Sequence, residues 1–214
     1  MIHKNFSSNI FINCPFDDEY LSFRNALIFT IYYCGFIPRC ALEQEDSGNV
    51  RYEKIIKIIN ECQYGIHDIS RTTLDSLNQL PRFNMPFELG LFLGAKKFGN
   101  KPHKSKNCLI LDVEKYRYQK FISDISGNDI QSHKDDCSEL IKVVRNWLAN
   151  FSSNSLPGGS KIYSKFQSFE RELPAMRIEL GLDLDDISYN DYSLVISEWL
   201  KLESNQVAPT KNKT

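Results

Sequence analysis

The residues best suited to chemistry in this sequence are polar side chains that stand beside short apolar runs. The most unusual is Glu88 in FNMPFELGLFLG (83–94), where it is the only charged residue. Glutamate is seldom buried without a partner. In apolar surroundings a carboxylate is poorly screened, so it strongly stabilises positive charge that develops on a bound substrate. The pattern therefore indicates a catalytic carboxylate, although a glutamate two residues after Pro86 also suits the first turn of a helix.

Seven further residues are candidates for substrate contacts because they follow predicted strands or open a predicted helix. Structural alternatives stay open for several of them: Asp68 suits a local turn, Asn84 suits a helix N-cap, and Asp17 suits a first helical turn. The candidates are Asn13, Phe16, Asp17, Asp46, Asp68, Ser70 and Asn84.

Several common kinds of site are missing from the sequence. It contains no GxxxxGK[ST] loop, no GxGxxG after the first strand and no GxSxG elbow. Four histidines occur without an HExxH pair, and the six cysteines are scattered singly without a CxxC. We therefore expect no metal site and reduced, mostly buried thiols. The glycines of GLFLG are expected to permit close packing of a helix on the sheet.

The composition is that of an ordinary globular protein. The 214 residues are 42% hydrophobic and 25% charged, and the formal net charge of −1 gives no reason to expect nucleic acid as a partner. Five lysines lie between residues 96 and 106, and we interpret them as a solvated cationic helix end. The sequence shows neither a signal peptide nor an apolar run long enough for a membrane span, so we expect a cytoplasmic protein without membrane contact.

Strands and helices alternate along the first half of the chain. Apolar β-rich runs predict strands at 9–14, 36–43, 63–70 and 106–113. Amphipathic or capped segments predict helices at 17–35, 51–62 and 85–98. This alternation predicts a doubly wound α/β fold with a parallel sheet, and such sheets bind ligands beyond the carboxyl ends of their strands.

The second half of the chain changes character. Helical patterns occur at 137–151, 161–181 and 189–203, and Pro174 is expected to kink or split the second of them. We therefore predict an α/β domain over residues 1–128, a C-terminal helical extension over 129–203 and a disordered polar tail over 204–214.

The arrangement CQYGIHDISR, FNMPFELGLFLGAKKFGNK and NCLILD resembles the superfamily that joins nucleoside 2-deoxyribosyltransferases with bacterial TIR-like domains. In that group a strand ends in Asp near a Ser, and a later helix carries a Glu-Leu-Gly element and leads to the next apolar strand. Asp68, Ser70, Glu88, Leu89 and Gly90 occupy the corresponding places, and the resemblance covers roughly residues 9–113. It implies a flavodoxin-like or TIR-like nucleotide-binding domain.

The resemblance also implies an activity, the breaking or exchange of an N-glycosidic bond, with Glu88 as the catalytic carboxylate. Phe16 would then stack on a base, Asp68 would orient a ribose hydroxyl, and Ser70 or Arg71 would reach a phosphate. Asp46 lies in an acidic loop that suits a ribose diol or a cationic nicotinamide better than a phosphate.

We therefore expect a TIR-like N-glycosidase that cleaves the nicotinamide–ribose bond of NAD or a related nucleotide. NAD would be the substrate and no cofactor would be needed. The resemblance further implies anti-phage defence through NAD depletion or a cyclic ADP-ribose-type signal, homo-oligomer formation and a defence-system partner protein. Two alternatives remain at this point: a nucleoside 2-deoxyribosyltransferase, and a non-catalytic nucleotide-sensing or protein-interaction module.

Overall fold

The computed structural model describes residues 5–43, 48, 50–72, 74, 80–183 and 187–207. Within these ranges the chain forms five strands, seven α-helices and several short 3-10 turns. The strands are β1 (Asn9–Asn13), β2 (Ile37–Arg39), β3 (Tyr64–Asp68), β4 (Asn107–Asp112) and β5 (Gln131–Ser132). The helices are α1 (Leu21–Tyr33), α2 (Arg51–Glu61), α3 (Asn84–Phe98), α4 (Lys101–Lys104), α5 (Cys137–Leu148), α6 (Gly159–Glu179) and α7 (Tyr189–Val207).

The five strands form one parallel sheet in the order β2-β1-β3-β4-β5. The order reverses between β1 and β3, because β2 lies on one side of β1 and all later strands lie on the other. A doubly wound sheet with this order places its ligand crevice at that reversal, beyond the carboxyl ends of the strands. The predicted doubly wound α/β fold is confirmed.

Helices cover both faces of the sheet because successive strand side chains point in opposite directions. Ile10 and Ile12 of β1 belong to the core under α1 and α5, whereas Phe11 packs against α2 and α3. The helices α6 and α7 form a further layer outside α1 and α5. That layer is anchored by the ring contacts of Phe29 with Phe169 and Trp199.

Several predicted boundaries differ from the structure for identifiable reasons. The predicted strand 36–43 is only three residues long, and a 3-10 turn at Ala41–Glu43 replaces its second half. The predicted helix 17–35 opens with a separate 3-10 turn, Asp18–Tyr20, before α1. It ends as predicted at Gly35, whose φ of +82° suits glycine.

The C-terminal half also departs from the predicted division. The sheet continues past residue 128, because β5 pairs with β4 through Gln131 and Ser132 and α5 then covers the sheet. The helix α6 runs unbroken through Pro174, so the predicted split is wrong. Residues 204–207 of the predicted disordered tail are helical, and the rest of that tail lies outside the described residues.

The glycines of GLFLG do not mediate close packing. An added Cβ at Gly90 or Gly94 would meet nothing within 4 Å. The close approach occurs instead at Gly65 of β3, where a Cβ would lie 2.7 Å from Nε2 of His67 and 2.9 Å from the ring of Phe92. The helix α3 therefore approaches the sheet over the glycine of the strand.

All six cysteines are free thiols, four of them buried and two half-buried. In the described part of the chain, no helix combines the length and the apolar character needed to cross a membrane.

Candidate active site

Glu88 is buried in the second turn of α3. Only 7% of the residue is exposed, and the described residues offer its carboxyl group neither a hydrogen bond nor an ion pair. Burial raises the pKa of Glu88 from an ordinary 4.5 to about 7, and the nearby Arg51 opposes that rise. A buried carboxyl group without a partner is costly for the fold, so its presence points to a role with a ligand.

The helix-cap explanation of Glu88 does not fit the geometry. The helix begins at Asn84, four residues earlier, and its first turn contains no acidic residue. The residue before the helix, Phe83, makes no side-chain capping bond. Glu88 therefore lies too far along α3 to satisfy the free amides at the start of the helix.

The position of α3 is fixed by Asn13 at the end of β1. Its buried side-chain amide donates to the backbone carbonyl of Met85 at 2.8 Å and contacts Nδ1 of His67 at 3.0 Å. Burial and the charge of Lys106 lower the pKa of His67 to about 3, so this imidazole is neutral. Asn13, predicted as a substrate contact, is thus placed as an internal link between strand and helix.

Two arginines meet the ring of Phe16 near Glu88. The guanidinium carbons of Arg51 and Arg24 lie 5.8 Å and 5.9 Å from the ring centroid, and Arg24 also donates to the Phe16 carbonyl. Arg51 opens α2 and is exposed. Cys14 lies in the same region. Burial raises the pKa of its thiol, and the charges of neighbours that include Asp68 and Glu88 raise it further. Both guanidinium groups therefore lie against Phe16 in the loop after β1, and the charge of one of them, Arg51, acts on Glu88.

Exposed apolar side chains lie at the starts of α2 and α3, the two helices that carry Arg51 and Glu88. Phe87 is 56% exposed, and its ring centroid lies 6.1 Å from that of Tyr52 on α2. Phe83 and Val50, on the same two helix starts, are exposed to a similar degree. A surface of this kind suits the flat ring of a nucleotide base.

Asp68 is a fully buried centre of hydrogen bonding. It accepts from the Tyr20 hydroxyl at 2.5 Å and from the Ser70 amide at 2.8 Å, and Nε2 of His133 lies 3.3 Å away. Burial acts to raise the pKa of Asp68, but these three neighbours outweigh it and hold the pKa below its ordinary value. A substrate could reach Asp68 only by replacing one of these partners.

His133, which follows the edge strand β5, is the third of these neighbours of Asp68. Its Nδ1 accepts a hydrogen bond from the Asp135 amide at 3.1 Å, and its Nε2 faces Asp68. Lys134 and Asp135 follow with φ of 55° each, a conformation that costs energy in residues other than glycine. The turn after β5 is thus held in the conformation that presents His133.

Arg117 joins the end of β4 to the segment after β3, at the carboxyl edge of the sheet. It pairs with the buried Asp112 at the end of β4, at 2.6 Å, and donates to the carbonyls of Ile69 and Ser70 after β3. Sequence reasoning missed Tyr20, Asp112, Arg117 and His133. Of these, Asp112 had a signal, because it ends a predicted strand as Asp68 does, whereas His133 becomes a neighbour only through the fold.

The remaining candidates occupy different settings. Asp17 caps the 3-10 turn by accepting from the Tyr20 amide at 3.0 Å, and its other oxygen lies 3.6 Å from Arg82. Ser70 is buried, and its hydroxyl has no partner among the described residues. Asn84 is exposed at the first position of α3. Asp46 lies outside the described residues.

A cavity of about 280 Å³ lies behind Phe16, between α1 and the start of α7. Its walls include Arg24, Asn25 and Tyr189. Across the described ranges, no group of three or more His, Cys, Asp or Glu side chains is arranged to hold a metal ion.

The geometry therefore places Arg51 between two predicted site residues, since it contacts the ring of Phe16 and its charge acts on Glu88. Asn13, Asp17 and Asp68 make internal hydrogen bonds nearby. No protein-family profile, curated protein or solved structure matches this chain.

Proposed function

We propose that the chain is an N-glycosidase that cleaves the nicotinamide–ribose bond of NAD or a related nucleotide, with Glu88 as the catalytic carboxylate. The observation that carries the proposal is the largely buried carboxyl group of Glu88 at the crevice of a doubly wound sheet, which has neither a hydrogen-bond nor an ion-pair partner among the described residues. As the base leaves, positive charge builds on the ribose C1′ atom. A carboxylate held in apolar surroundings stabilises that charge.

The ionisation of Glu88 fits this role. With a pKa near 7, the group is partly protonated at neutral pH in the free protein. The nicotinamide ring of NAD carries a positive charge, so its binding favours the ionised carboxylate. Glu88 would therefore acquire its full charge at the moment when a cationic substrate occupies the site.

Two further features support a nucleotide substrate over a nucleoside. Arg51 and Arg24 lie on the ring of Phe16, within the same region as Glu88, and guanidinium groups bind phosphates through paired N–H donors. The exposed rings of Tyr52 and Phe87, on the helices of Arg51 and Glu88, suit contact with a base. Among the described residues neither arginine forms an ion pair, and a nucleoside without a phosphate offers them no anionic ligand. This favours NAD cleavage over 2-deoxyribosyl transfer.

The proposed biological role follows from the resemblance described above. An NAD-cleaving enzyme of this type would act in bacterial defence, and the outer layer of α6 and α7 would serve its assembly or regulation. Homo-oligomer formation and a defence-system partner belong to the same proposal.

Incubation of the purified protein with NAD, and separately with deoxynucleosides, tests the activity. We expect release of free nicotinamide from NAD and little release of base from deoxynucleosides. Base exchange between deoxynucleosides without NAD cleavage would establish the transferase instead. Binding of NAD without turnover, unchanged in Glu88→Gln, would establish the non-catalytic module.

A further inference from the structure

The first part of β4 has an open edge. The strand β5 pairs only with Leu111 and Asp112, so the side of Asn107–Ile110 that faces away from β3 lacks a partner strand among the described residues. The Asn107 amide donates to Gln63, and the Leu111 carbonyl accepts from Ile69, so these residues bond towards β3. Alternate residues of a strand bond in opposite directions, which leaves the Cys108 amide and carbonyl and the Ile110 amide facing the open edge.

A groove of about 510 Å³ lies over this edge, between two helices. Leu93 and Lys96 of α3 form one wall, and Val143, Asn146 and Trp147 of α5 form the other. The two helices cover opposite faces of the sheet, so the groove continues the plane of the sheet beyond β4. The groove therefore lies where a further strand could pair with β4.

The α3 side of the groove is basic. Lys96 lines it, and Lys97, Lys101 and Lys104 lie on α3 and α4 beside the end where β4 begins. None of these four lysines forms an ion pair with a described residue. The α5 wall presents Val143 and Trp147 together with uncharged amides. The groove also contains one carboxyl group, that of Asp129 beside the start of β5, which accepts a hydrogen bond from the side chain of Gln131. Away from that end, the α3 wall favours acidic side chains and the α5 wall favours apolar ones.

We propose that this groove binds an extended segment of a partner protein in which acidic and apolar residues alternate. A strand added to β4 directs successive side chains to opposite walls, so its acidic residues would face Lys96 and its apolar residues would face Val143 and Trp147. The open edge presents both amide donors and carbonyl acceptors. A peptide backbone complements both, whereas a nucleic-acid backbone offers only acceptors. This binding site is separate from Glu88 and holds whether or not the chain cleaves NAD.

The test uses a short synthetic peptide that alternates Glu and Val, with a Lys/Val peptide of equal length for comparison. We expect saturable binding of the Glu/Val peptide in calorimetry and slower hydrogen exchange at the amides of Cys108 and Ile110. The variant Lys96→Glu should weaken this binding by about tenfold and improve binding of the Lys/Val peptide. The variant Lys57→Glu carries the same charge change on α2 and should bind as the unmodified protein does.

The variant Asn146→Trp places a large side chain in the groove from an exposed position and should abolish peptide binding without loss of folding. The proposal is overturned if the Glu/Val peptide does not bind, or if it binds Lys96→Glu as tightly as the unmodified protein. It is also overturned if a single-stranded oligonucleotide competes for the groove better than the peptide, or if sedimentation shows that a second copy of the chain occupies it.

Discussion

Asn13 donates a hydrogen bond of 2.8 Å to the backbone carbonyl of Met85, and this contact joins the end of β1 to the start of α3. Met85 precedes Glu88 by less than one helical turn. The bond is buried, so it is shielded from competing water. The location of the candidate catalytic carboxyl group is therefore fixed by an amide at the end of β1, beside the point where the strand order reverses.

Replacement of Asn13 by alanine should destabilise the fold. The change leaves Nδ1 of His67 buried without its donor and removes the bond that ties the Met85 carbonyl to β1, which should lower the free energy of unfolding by about 1–3 kcal/mol. Urea denaturation measures this quantity. Asn84→Ala, on the exposed first residue of the same helix, is the control and should change stability little. Equal stability of the Asn13 variant and the unmodified protein would show that the link does not hold the helix.

The stability of the protein should depend on pH through Glu88. Its pKa is about 7 in the folded chain and 4.5 ordinarily, so the folded state binds more protons than the unfolded state between these values. The free energy of unfolding therefore falls as pH rises from 4.5 to 7, by up to about 3 kcal/mol, and stays lower above pH 7.

The variant Glu88→Gln removes this dependence and should be more stable than the unmodified protein at pH 8. The comparison is the difference between the two proteins at pH 5 and at pH 8, measured by denaturant unfolding. Glu53→Gln on the exposed side of α2 serves as the matched control. A Glu88→Gln difference that is the same at both pH values would contradict the assigned ionisation.

Asp68 should prove essential to folding. Asp68→Ala leaves Tyr20 and His133 buried without their shared partner and should cost about 3 kcal/mol. Tyr20→Phe removes a single hydroxyl group and should cost about 1 kcal/mol. Because the pKa of Asp68 is below its ordinary value of 3.8, its contribution is present above that pH and is lost as pH falls through the folded-state pKa. A fully stable Asp68→Ala protein that fails only to bind nucleotide would restore the predicted ribose contact.

Replacement of Gly65 and of Gly90 by alanine should change the stability of the fold in opposite directions. Gly65→Ala forces a methyl group against His67 and Phe92 and should destabilise the fold by about 1–3 kcal/mol. Gly90→Ala meets no neighbour and replaces a helical glycine, so it should stabilise the fold by about 0.5–1 kcal/mol. Thermal unfolding of the two variants checks both signs. Destabilisation by Gly90→Ala would mean that a neighbouring group lies closer to position 90 than the structure shows.

The sheet was predictable because each strand is a short apolar run between turn signals, and the intervening helices have clear periodicity. The strand β5 was missed because two residues, Gln131 and Ser132, carry no pattern. The second half of the predicted strand 36–43 is not a strand, and this difference also has a physical reason. Pro38 lies within that run, and an edge strand gains pairing on one side only.

The candidate site was predictable only where its chemistry is local in sequence. Glu88 was recognisable as a charge among apolar residues. The partners of Asp68 were not, because Tyr20 and His133 are 48 residues before it and 65 residues after it. Packing of the folded chain brings such distant residues into contact, and a single sequence does not show which residues become neighbours.

Nicotinamide release from NAD by the unmodified protein and by Glu88→Gln tests the central claim most directly. At NAD concentrations well below KM, where the rate reflects the free protein, we expect a rate that rises with pH through about 7 as Glu88 ionises. We also expect a loss of about a hundredfold or more in Glu88→Gln with folding retained. Glu53→Gln should keep the full rate. Nicotinamide release by Glu88→Gln at the unmodified rate would contradict the assignment of Glu88 as the catalytic carboxylate.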